Sequence, residues 1–127
     1  MYDPVNKIGG ILHAMLPKAK ETPLPKYVDS GTALLLKSIL ENGAQRNFLV
    51  AGIVGGGTIF NFGGELAIGK KNIQAAKAEL AARRIPILVE EVDGKRGRSV
   101  LLDIINGKVM VMVSRPPILK ECVALKT

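Results

Sequence analysis

Ile87-Leu88-Val89-Glu90-Glu91-Val92, Ser99-Val100-Leu101-Leu102-Asp103-Ile104 and Lys108-Val109-Met110-Val111-Met112-Val113 follow one another with only short breaks. Each run is rich in Val, Ile and Leu, residues that suit a pleated and partly buried surface, and each has strand length. The first break is Asp93-Gly94-Lys95-Arg96-Gly97, which is turn chemistry; the second is Asn106-Gly107, a strong short-range signal for a two-residue hairpin. Three strands in succession, after a part of the chain that reads as helix, strand and helix, predict an α+β fold: a mixed β-sheet layered with two main helices.

Upstream of these strands, Lys71 to Arg84 carries Ile73, Ala76 and Leu80 at helical spacing with Lys and Arg elsewhere, and Pro86 stops it. An earlier helix is capped by Asp29 or Ser30, presents Leu35, Leu36, Ile39 and Leu40 to the core, and ends at Gly43. Phe48 to Val54 reads as a buried strand that runs into Gly55-Gly56-Gly57 and a glycine-rich loop reaching Gly69. Such a run of glycines means positive-φ turns or close approach of backbone to another group. Ile8 to Leu16 has apolar residues on both alternating faces, as expected of a strand covered on both sides, so His13 should be partly buried. Asp3-Pro4-Val5-Asn6-Lys7 is a turn returning from an earlier strand, of which this sequence holds Met1 and Tyr2. An exposed edge beside Ile8 to Leu16 follows. Pro116-Pro117 closes a domain of residues 1–117, leaving 118–127 as a C-terminal tail with no assigned structure.

A chain of 127 residues with 47% hydrophobic side chains supports one core. No apolar run is long enough to span a bilayer and no secretory pattern opens the sequence, so it reads as a cytoplasmic protein without membrane insertion. One cysteine, Cys122, excludes an internal disulfide framework, and one histidine beside it cannot complete a usual Cys/His zinc site. No metal and no cofactor are expected. The net charge of +7 favours an acidic partner. The basic residues are scattered and no aromatic pair marks a base-stacking strand, so nucleic acid is disfavoured as a partner. Gly64 to Lys71 has the spacing of a phosphate-binding loop except at its last position, where Lys71 replaces the magnesium-holding Ser or Thr, and no strand directly precedes it.

His13 alone has two readings, a satisfied core histidine or an acid/base. Its setting, His13-Ala14-Met15-Leu16-Pro17 after an Asp3-Pro4 turn, resembles the His-x-Met-Leu-Pro signature of the chemoreceptor glutamine deamidases, the CheD family. The resemblance continues in order through Lys26-Tyr27-Val28-Asp29, Gly55-Gly56 with Phe60, Ile68-Gly69 with Asn72, Gly94, Gly97-Arg98 and Gly107-Lys108. Departures are Glu91, Asp93 and Ile59, where the family usually has Asp, Gly and Met.

The resemblance implies an α+β fold and hydrolysis of receptor glutamine to glutamate and ammonia. A cysteine thiolate would be the nucleophile and His13 the acid/base. It also implies Gly55, Gly56, Phe60, Asn72 and Arg98 as substrate or partner contacts, with the His13 ring near the Gly55 to Phe60 loop. Methyl-accepting chemoreceptors and a CheC-type phosphatase are the implied partners. The family's cysteine, in a Gly-Ser-Cys segment, and its histidine-orienting threonine precede the Asp-Pro turn. The expectation is therefore that residues 1–127 are an N-terminally truncated and inactive deamidase domain. Cys122 is a poor substitute, lying after Pro116-Pro117 with no small-residue turn before it. A catalytically silent module that binds receptor or phosphatase is the alternative.

Overall fold

A computed structural model of the chain describes residues 1–57 and 68–114, and the backbone alone of Ile118–Val123. In chain order the elements are β1 (Tyr2–Asp3), β2 (Ile8–Gly9), α1 (Val28–Glu41), a 3-10 turn at Arg46–Phe48, β3 (Ala51–Gly55), α2 (Ile68–Ala82), β4 (Ile87–Val92), β5 (Arg98–Asp103), β6 (Lys108–Val113) and β7 (Ile118–Val123). This is an α+β fold with mixed pairing: β1 and β2 are antiparallel, β3 and β4 parallel, and β5-β6-β7 form an antiparallel ladder.

Two of the hairpins are closed by the same device. In the loop after β1 the buried Asp3 carboxylate accepts from the backbone N–H groups of Val5 (2.9 Å) and Asn6 (3.0 Å) and from the Asn6 side-chain amide (2.8 Å). After β5, Asp103 accepts the same three bonds from Ile105 (3.1 Å), Asn106 (3.0 Å) and the Asn106 amide (2.8 Å). Both sequences are Asp-x-x-Asn, and a carboxylate saturated by local donors fixes a four-residue loop without tertiary help. Each loop ends with a residue at positive φ, Lys7 at 54° and Gly107 at 65°. Glycine holds that conformation freely, whereas a residue with a Cβ loses about 1–2 kcal/mol. Lys7→Gly should therefore raise stability by about 0.5–1 kcal/mol after the greater freedom of the unfolded glycine is deducted. Urea unfolding at unchanged m-value measures it; a fall in midpoint would show that the Lys7 backbone is unstrained.

β3, α2 and β4 make a crossover unit that brings two distant stretches side by side. On one side of it Leu36, Ile39, Ala44, Leu49, Ala51, Leu80 and Ile85 form a core of α1, α2 and the start of β3. On the other, Tyr2, Val50, Val89, Val109, Val111 and Val113 join the N-terminal hairpin to β4 and β6. Each fully buried aliphatic side chain contributes about 1.5–3 kcal/mol, so both clusters matter. Tyr2 anchors the second cluster: its backbone exchanges two bonds of 2.9 Å with Val50, and its hydroxyl donates to the Ile104 carbonyl.

Several expectations are corrected. Ile8 to Leu16 is not one strand: only Ile8–Gly9 is, paired with Tyr2–Asp3, and residues 10–15 run without a ladder among the described residues. His13 is consequently exposed instead of partly buried. Phe48 belongs to the 3-10 turn, is 38% exposed, and the strand begins at Ala51. α1 begins at Val28 with Tyr27 as an uncapped entry, because Asp29 is used elsewhere: it accepts from Ala19 N–H at 2.9 Å, pinning the proline-rich loop, and from Ser30 N–H at 2.7 Å. α2 starts at Ile68, three residues early, and ends at Ala82. The Asn106-Gly107 hairpin has the four-residue loop of residues 104–107 instead of a two-residue one, since Asp103 caps it. Ile118–Val123, left unassigned from sequence, pairs with β6 in full register.

Candidate active site

The segment carrying His13 is held at both ends and free in the middle. At its start Gly10 donates to the Met1 carbonyl, and the Met1 ammonium donates to the Gly10 carbonyl, both at 3.0 Å. Burial lowers the pKa of that ammonium to about 6. At its end Met15 and Leu16 donate to the Lys26 carbonyl at 2.7 and 3.1 Å. Between them, among the described residues, the backbone groups of residues 11–14 make no hydrogen bond. Close packing on α1 substitutes for a ladder. A Cβ at Gly31 would meet Leu12 at 2.7 Å, and one at Gly10 would meet Leu35 at 2.7 Å, so the two glycines let helix and segment touch. Exposure alternates along the segment, with Leu12 and Ala14 turned partly inward while Ile11, His13 and Met15 are exposed.

Opposite this segment lies the end of β3. Gly55 and Gly56 have φ of 102° and 66°, which favour glycine. Gly56 also abuts α2: a Cβ there would come within 2.5 Å of Ile73, and a Cβ on Gly69 would lie 2.1 Å from the Gly56 carbonyl. Both sequence-level explanations of the glycine run, positive φ and close backbone approach, therefore hold at Gly56.

Asn72, in the second turn of α2, reaches across to donate its side-chain amide to the Met15 carbonyl at 3.1 Å. His13, Gly56 and Asn72 thereby line one cavity of about 230 Å³, whose walls are otherwise mostly apolar, including Val28, Ile53, Ile73, Ala76 and Val100. Thr32 also faces it. Sequence reasoning passed over this residue, although its signal was legible: Thr32 sits four residues after Val28 and four before Leu36, a polar position on the apolar stripe of α1.

The other sequence candidates fall differently. Gly55 adjoins the cavity wall through Gly56 but does not line it. Arg98 opens β5 beyond the Asp93 to Gly97 loop and is also outside that wall; its Nε and Nη1 are buried without a hydrogen-bond partner among the described residues. Phe60 lies outside the described residues. Of the phosphate-loop-like stretch, Gly64 to Ala67 is likewise outside them. No helix among the described residues is long and apolar enough to cross a membrane.

A solvent-reaching imidazole at an apolar cavity, with glycine backbone and a side-chain amide on the wall, has the parts of an acid/base site for a small polar group. The family model described as CheD chemotactic sensory transduction matches residues 15–113, starting two residues after His13. A relative from Pyrococcus horikoshii named probable chemoreceptor glutamine deamidase CheD is 44% identical over 116 residues, covering 86% of this chain and 71% of its own. A relative of the same name from Thermococcus kodakarensis is 42% identical over the same shares. Another so named, from Clostridium botulinum, is 38% identical over 120 residues, 89% of this chain and 74% of its own. The chain belongs to the CheD family.

Proposed function

We propose that this chain carries the acid/base half of a chemoreceptor glutamine deamidase site, with His13 as the acid/base. The observation that supports it is the gathering of His13, Gly56 and Asn72 around one cavity from three separate parts of the chain. A cysteine thiolate attacks the carboxamide carbon of a receptor glutamine, and the imidazolium of His13 gives its proton to the departing ammonia. The imidazole then takes a proton from the water that cleaves the thioester, leaving glutamate and restoring the thiol. Glycine backbone at Gly55 and Gly56 can approach the developing oxyanion without a side chain in the way.

The sequence holds a single cysteine, Cys122, whose backbone in β7 pairs with Val109 of β6, and the family resemblance puts the thiol of this scheme in a Gly-Ser-Cys segment ahead of the Asp3 turn instead. That observation favours a second reading, a module that binds receptor or a CheC-type phosphatase without turnover. The test joins the chain to a segment bearing the Gly-Ser-Cys turn and the strand leading into Asp3. Receptor fragments incubated with it should convert glutamine to glutamate by peptide mass, with His13→Ala lowering the rate by about 10²–10⁴. Conversion insensitive to His13→Ala would remove the histidine from the mechanism, and no conversion with receptor binding retained would leave the binding module.

A further inference from the structure

Asn72 has one half of its amide satisfied and the other half stranded. Its Nδ2 donates to the Met15 carbonyl at 3.1 Å, which fixes the orientation of the amide, since the reverse would set oxygen against oxygen. Its Oδ1 is buried with no hydrogen-bond partner among the described residues. An unpaired buried acceptor costs about 1–3 kcal/mol, so such an atom in a folded protein calls for an explanation. The residue lies on the wall of the cavity that also holds His13, and most of that wall is apolar.

Resting on the glutamine deamidase reading above, we infer that Asn72 is the residue that reads the substrate's carboxamide: its Oδ1 accepts a hydrogen bond from the glutamine side-chain NH₂. A carboxamide inserted into the cavity brings two N–H donors that lose water on entry. The stranded acceptor takes one of them, so substrate and site each satisfy a group the other leaves unpaired. The same oxygen disfavours the product. A glutamate carboxylate has no proton to donate and sets negative charge against the carbonyl oxygen, so conversion of glutamine to glutamate weakens binding and promotes release. The bond to Met15 gives Asn72 its aim, because it commits Nδ2 to Met15 and leaves Oδ1 as the end that accepts.

The test is affinity, measured with the 127-residue chain. The probes are two synthetic helical peptides that differ only in one central residue, glutamine or glutamate. The chain should bind the glutamine peptide about tenfold more tightly, the equivalent of about 1.4 kcal/mol. Asn72→Leu, similar in shape but without an acceptor, should bring the ratio close to one. In the unsubstituted chain the carbonyl carbon resonance of the Asn72 side chain should shift with the glutamine peptide and not with the glutamate one, a readout independent of how the variants fold. A folded Asn72→Leu variant that retains the preference, or an unmoved Asn72 resonance on binding, would overturn this inference and leave the deamidase reading standing. Equal binding of the two peptides would likewise overturn the inference alone, and binding of neither would overturn both.

Discussion

The 127-residue chain by itself is expected to release no measurable ammonia from a chemoreceptor fragment, and Cys122→Ser should change nothing. The magnitude of the missing step decides this. A positioned general base contributes about 10²–10⁴, whereas enzymes reach at least about 10⁶ over the uncatalysed reaction, and the remainder in this chemistry comes from a nucleophile that splits amide cleavage in two. His13 has no cysteine near it in sequence, and the single cysteine, Cys122, follows it by most of the chain, in β7. An ammonia assay over hours, with the chain at micromolar concentration, makes the comparison. Steady turnover abolished by Cys122→Ser would move the nucleophile to β7 and replace the mechanism proposed above.

The largest stability effect belongs to Asp3. Asp3→Ala should cost about 3 kcal/mol, a substantial part of the 5–15 kcal/mol typical of a domain, because it strands several donors around a fully buried position. Besides the three bonds within its own loop, Asp3 accepts from the backbone N–H of Gln45 at 2.8 Å, tying the N-terminal hairpin to the segment after α1. Burial pushes its carboxyl pKa up, but hydrogen bonds from the Asn6 side chain and from the backbone of Asn6, Gln45 and Val5 outweigh burial and leave it below the ordinary carboxylate value. The sign follows. A folded-state pKa below the unfolded one gives stability that is fully present above about pH 4 and is lost as pH falls through the folded value. Urea midpoints should therefore drop on acidification in the parent chain more steeply than in Asp3→Ala. The related loop at Asp103, whose hydrogen bonds are exposed to solvent, should tolerate alanine far better. Equal losses at the two aspartates would mean that burial of the carboxylate, and not the loop motif alone, has been given too much weight.

The readings that held were those carried by neighbours in sequence. Alternation and β-branched content found β4, β5 and β6 within a residue, and helical spacing found α1 and α2 within a few. The readings that failed depended on a remote partner. Residues 10–15 have the alternation of a strand and an extended course, yet form no ladder, and His13 is exposed as a result. Asp29 looked like a helix cap from its neighbours but bonds Ala19, ten residues away. The site shows the same division. Resemblance drew attention to His13, Gly56 and Asn72 singly, but their common cavity, and the bond from Asn72 to Met15 across 57 residues, exist only once α2 has packed beside the His13 segment.

What the sequence by itself determined is therefore most of the elements, the Asp3 turn and the family, since helix periodicity, local carboxylate capping and steric freedom at glycine act over a few residues. Tertiary structure alone decided which extended stretch became a strand, which of the glycines serves close packing, and which polar atoms were left unpaired at the cavity. Strand pairing, burial and hydrogen-bond satisfaction are properties of pairs of groups, and those pairs are formed by parts of the chain that carry no local record of each other.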